Sequence, residues 1–91
     1  MPGQREDAIM ARVQQAAKLG ILKTTNHSRA RMEERNATVE DVRRAILTAT
    51  VVIEQPKENT IRLEGGKDID GEDLAVVVAE DARGLRIVTV M

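Results

Sequence analysis

Apolar and polar positions change their rhythm about halfway along the chain. Over residues 5–19, REDAIMARVQQAAKL, Ile9, Met10, Val13, Ala16 and Ala17 recur on one side at helical spacing. Glu6 and Asp7 stand in the first turn, where the macrodipole favours anions. Gly20 is a natural C-terminal stop. The stripe is narrow, which suits a helix that packs on a second copy or lies at the edge of a core. ILKTT, residues 21–25, predicts a short strand. Thr25 or Asn26 caps a helix over about 27–35, and Asn36 suits its end because asparagine tolerates the left-handed conformation. Thr38 opens the next helix. Thr38 and Asp41 form a capping box with Asp in place of Glu, and Val39, Val42, Ile46 and Ala49 make the buried stripe.

From residue 50 the period becomes two. TVVIE, 50–54, is β-branched and strand-like. Residues 56–59 form a turn, and TIRLE, 60–64, sets Ile61 and Leu63 on one face and Arg62 and Glu64 on the other. GGKDIDGED is a polar turn region. LAVVVAE, 74–80, reads as a central strand covered on both faces. DARG, 81–84, is a second hairpin turn, and LRIVTVM, 85–91, closes the sheet. The pattern predicts an α+β fold: N-terminal helix, short strand, two helices, then a four-stranded antiparallel meander with the two central helices on one face. Residues 1–20 form an amphipathic N-terminal extension and 21–91 the α+β domain.

Composition narrows the function classes. The 91 residues contain no Phe, Tyr or Trp, so the core is aliphatic and a base-stacking platform for single strands is disfavoured. With no cysteine, thiolate catalysis, disulfides and Cys-ligated zinc are excluded. A single histidine makes a His/carboxylate metal site improbable, and no cofactor is implied. No segment approaches the length of a membrane span and the N-terminus lacks a secretory apolar block, so a cytoplasmic protein without membrane contact is expected.

Net charge is −1, unevenly spread. Residues 1–50 hold nine Lys/Arg against six Asp/Glu, and residues 51–91 hold five against nine. This asymmetry suits a local anion site, head-to-tail contact, or simply a solvated surface.

HSRARMEERN, residues 27–36, gathers the only histidine, three arginines and two glutamates. A helix turns about 100° per residue. His27, Arg31 and Arg35 therefore form one row, beside Met32, the side chain most suited to point inward. A row at the margin of a core either clamps the chain's own carboxylates and carbonyls or holds a phosphate from outside. His27 supplies an imidazole able to act as a base.

Asp68, Asp70, Glu72 and Asp73 alternate as calcium ligands do, but the spacing lacks the full calcium-loop pattern, and Asp70-Gly71 is a favoured turn. No phosphate-loop, dinucleotide or Ser-His-Asp pattern appears.

HSRARMEERNATVEDVRRAI resembles the helix pair of a bacterial family, domain of unknown function 4258. That family shows His-Ala-x-x-Arg-Met-x-x-Arg, a turn and a capped helix with an acidic start. His27, Arg31, Met32 and Arg35 match; Ser28 replaces the usual Ala and Asn36 stands where Gly is common. IRLEGGKDIDGEDLAVVV and LRIVTV are similar to its closing hairpins, so the resemblance covers about 21–90. The family in turn resembles RelE/BrnT-like toxins, in which a strand and two helices precede an antiparallel sheet. Those toxins are metal-independent ribonucleases that cut RNA through basic residues. The resemblance implies RNA as substrate, a cognate antitoxin as partner, phosphate contacts from Arg31, Arg35 or Arg62, and proton transfer by His27. It also departs from the pattern: RelE-type sites draw on sheet residues and often a Tyr or Lys, and no Tyr exists here. The alternative is a non-catalytic interaction module that forms a homodimer through the N-terminal helix.

Overall fold

A computed structural model describes residues 3–91; residues 1 and 2 of the expected extension lie outside it. The chain runs α1 (Gln4–Leu19), β1 (Ile21–Lys23), α2 (Asn26–Glu34), α3 (Val39–Thr48), β2 (Val51–Gln55), β3 (Thr60–Glu64), β4 (Val76–Asp81) and β5 (Gly84–Val90).

The sheet corrects the expected four-stranded antiparallel meander. It is five-stranded and mixed, in the order β1-β5-β4-β3-β2. β2, β3, β4 and β5 pair consecutively and antiparallel, while β1 adds on the far side, parallel to β5. Three residues carry no readable period, and Ile21 finds its partner Gly84 only at the far end of the sequence. Glycine permits the junction. A Cβ on Gly20 would meet the Arg83 carbonyl at 2.8 Å, and one on Gly84 would lie 2.2 Å from the Ile21 carbonyl oxygen.

All three helices cover one face. Ile9, Val13 and Ala17 of α1, Met32 of α2 and Val42, Ala45 and Ile46 of α3 join one core with Leu22, Val52, Leu63, Val76, Val78, Leu85, Ile87 and Val90. α1 therefore packs its apolar stripe into its own chain, and a dimer built on that stripe loses its motive. Gln14 Nε2 donates to the Ile46 carbonyl at 3.2 Å, and Arg43 donates to the Ala17 carbonyl, which ties α1 to α3.

β4 is covered on both faces, as its apolar run predicts. Val77 and Ala79 are indeed buried, yet they alternate away from the helices and belong to no second layer. Their register neighbours are Arg62, Thr89 and Arg86. Arg62 and Arg86 are the long side chains at these neighbouring positions, and arginine stems shield apolar surface while their charge stays in water. A register shift at Val77/Val78 lets Val78 pair with Ile87 and Val77 with Thr89.

Both central helices open with capping boxes. In α2, Ser28 N–H donates to Thr25 Oγ1 at 3.0 Å and Thr25 N–H to Ser28 Oγ at 2.8 Å. In α3, Asp41 N–H donates to Thr38 Oγ1 at 3.1 Å and Thr38 N–H to Asp41 Oδ2 at 2.9 Å. Asn36 takes the left-handed conformation between them, at φ 53°.

Candidate functional site

The expected row on α2 exists, but the fold uses most of it. Met32 is buried and anchors the helix. Arg31 Nη1 lies 3.4 Å from Glu34, one turn on. Arg35 Nη2 donates to the Asp73 carbonyl at 3.2 Å. Both arginines thus hold the chain's own acceptors. His27 is exposed and, among the described residues, has no ion-pair partner.

Arg35 meets a loop, residues 65–74, that two further groups fasten to α3. Ile69 N–H donates to Asp41 Oδ1 at 3.1 Å, and Lys67 N–H donates to Thr48 Oγ1 at 2.8 Å. Asp68 Oδ1 accepts from the N–H groups of Asp70 and Glu72, both at 2.9 Å, which shapes the turn around Gly71. Hydrogen bonds from the backbone N–H groups of Thr38 and Ile69 hold the Asp41 carboxyl below its ordinary range.

Arg62 stands apart from this row. Ile61 and Leu63 face the helices, so Arg62 projects from the other side of the sheet. Its Nε donates to Glu64 Oε2 at 2.6 Å along that side. His27 and Arg62 are therefore on opposite layers and do not converge on one centre.

The helix-free face instead brings together residues that no motif links. β1 lies in register with β5, so Lys23 pairs with Arg86; Arg86 also pairs with Ala79 of β4, and Val77, two residues earlier on β4, pairs with Arg62. Lys23, Arg86 and Arg62 thus share one sheet surface. Lys23 Nζ lies 3.4 Å from Asp81. The Asp81 carboxyl is held below its ordinary range chiefly by the Arg83 N–H, with help from Lys23. Arg86 is exposed and, among the described residues, has no ion-pair partner. Sequence alternation could assign Arg62 and Arg86 their face; Lys23 needed the parallel register of β1.

A polar cleft of about 280 Å3 opens where α1 crosses the ends of β2 and β4. Two bidentate ion pairs frame it. Arg5 binds Glu54 at 2.6 and 2.8 Å, and Arg12 binds Glu80 at 2.7 and 2.8 Å. Hydrogen bonding to Glu54 and Glu80 raises both guanidinium pKa values, and Arg5 lowers that of Glu54. Each charge in the cleft is already answered, so it offers neither a cation nor an anion site.

These features define a small α+β domain with helices on one face of a mixed sheet and a polar, partly basic opposite face. The chain belongs to a family described as domain of unknown function (DUF4258), whose model matches residues 24–91. α1 and β1 fall outside the match although their side chains complete the same core. No curated protein and no solved structure matches the chain. No described helix is long and apolar enough to cross a membrane.

Proposed function

We propose that the chain is a toxin-type ribonuclease of the RelE/BrnT kind, acting without a metal, with RNA resting on the helix-free face of the sheet. The observation that carries this reading is the common face of Lys23, Arg86 and Arg62. Guanidinium groups bind phosphate oxygens in a fixed fork, and cations aimed at those oxygens stabilise the charge that builds on them during cleavage. The element order from β1 onward agrees with the strand, two helices and sheet of such toxins. In this reading Arg62 and Arg86 contact the scissile phosphate, Lys23 its neighbour, and a cognate antitoxin would cover the same face. His27, Arg31 and Arg35 belong to the other layer, where Arg31 and Arg35 brace α2 and the 65–74 loop.

The test is cleavage of RNA by the purified chain in the presence of a chelator. Arg62→Ala and Arg86→Ala should each slow cleavage by at least about tenfold. His27→Ala should cleave at the wild-type rate. Intact RNA with the wild-type protein, together with unimpaired growth of cells expressing it, overturns the reading.

A further inference from the structure

The two edges of the sheet are built differently. β1 is three residues long and carries Lys23, two features that discourage a further strand. β2, VVIEQ, is five residues long, contains no Lys or Pro, and has β3 as its neighbour on one side only. Its outer edge leaves a row of backbone donors and acceptors without a strand partner. Beside that edge, on the helix-free face, Val51 and Ile53 are 45% and 41% exposed. The only charge on the strand, Glu54, is turned to the helix side and held by Arg5.

We infer that β2 pairs antiparallel with β2 of a second copy, about a two-fold axis through Val52, to give one continuous ten-stranded sheet. Directly paired residues share a face. Keeping the helices of both copies on one side therefore leaves three registers within the strand, centred on residue 52, 53 or 54. Centring on 54 sets Glu54 against its own copy, a repulsive cross-strand pair. Centring on 53 leaves Val51 opposite Gln55. Centring on 52 sets Val51 against Ile53 of the second copy, twice, and Glu54 against Thr50. Both exposed apolar side chains then find an apolar partner and no like charges meet. The two-fold makes the contact self-complementary and closed, so assembly stops at two. This dimer does not depend on the ribonuclease reading; it places the helix-free faces of the two copies side by side on one surface. A contact of one strand pair lies below about 1,200 Å2, so the dimer is concentration dependent.

Sedimentation velocity on the full chain over a wide concentration series tests the inference. The mass should rise from one 10.0 kDa chain to two and stop there. Ile53→Lys should weaken the dimer by at least about tenfold, with unchanged far-ultraviolet circular dichroism. Ile21→Lys, at the β1 edge and similarly exposed, should leave it intact. The chain has no cysteine, so engineered thiols report the register. A Val51→Cys chain mixed with an Ile53→Cys chain should form the mixed disulfide faster than either chain links to itself. A monomer at every concentration, growth beyond two chains, dissociation by Ile21→Lys but not Ile53→Lys, or faster self-linkage of Ile53→Cys overturns it.

Discussion

The first turns of α2 and α3 are closed by the same device and hold different things. In α2, Thr25 and Ser28 satisfy each other's backbone, and Ser28 Oγ also donates to the Thr25 carbonyl. Ser28 is fully buried and the box is neutral and local. In α3, the partner of Thr38 is a carboxylate, and its second oxygen takes the N–H of Ile69 from a distant loop. A hydroxyl closes a helix. A carboxylate closes a helix and has an acceptor left for tertiary structure, with a dependence on pH that the hydroxyl lacks.

The largest effect should therefore come from Asp41→Ala, which removes the cap and leaves the N–H groups of Thr38 and Ile69 without that acceptor. We expect a loss of about 2–4 kcal/mol in urea unfolding, followed by circular dichroism because the chain has no aromatic fluorophore. Ser28→Ala should cost less, about 1 kcal/mol, since only a local cap is lost. Equal costs for the two would break the contrast.

Acid should sharpen it. The Asp41 carboxyl is held below its ordinary range in the fold, so the unfolded chain binds its proton first as pH falls. The stability it contributes is whole above the ordinary carboxylate value near ~4 and is lost as pH drops through the lower folded value. The wild type should consequently lose more stability than Asp41→Asn between about pH 5 and 2, measured by urea midpoints. Glu54, Asp73 and Asp81 are also shifted down, but they remain in both proteins and cancel in the difference. The smallest change belongs to Arg35→Ala, whose single bond reaches the same loop from an exposed position; its effect should stay within about 0.5 kcal/mol.

Much of this was legible in the order of residues, and the exceptions share a cause. Thr38 and Asp41 announce a capping box by spacing. Thr25 and Ser28 do not, because a serine three residues into a helix is usually read as filler. α1, α3 and β3 follow from apolar periodicity, and α2 from the residues that cap its two ends, within a residue or two. β4 starts at Val76 instead of 74, because the Leu74 N–H turns aside to the Gly66 carbonyl while its side chain stays in the core. The face of Arg62 follows from Ile61 and Leu63. Its company does not: Lys23 and Arg86 meet through a parallel register between β1 and β5 that no local pattern encodes. Local chemistry can be read locally, whereas a site assembled across strands waits on pairing.

The place of β5 in the sheet also sets a timetable. It lies between β1 and β4, yet residues 84–90 are the last described strand to leave the ribosome. Until then β1 has no strand to join, and the core lacks Leu85, Ile87 and Val90. Helices and the β2–β3 hairpin can form early from near neighbours, but the sheet closes only with this late strand, at the entropic cost of a long-range contact. Until residues 84–90 emerge, the nascent chain therefore carries an incomplete sheet in which β1 and β4 each lack the neighbour they share, and that interval is when it is most exposed to mispairing.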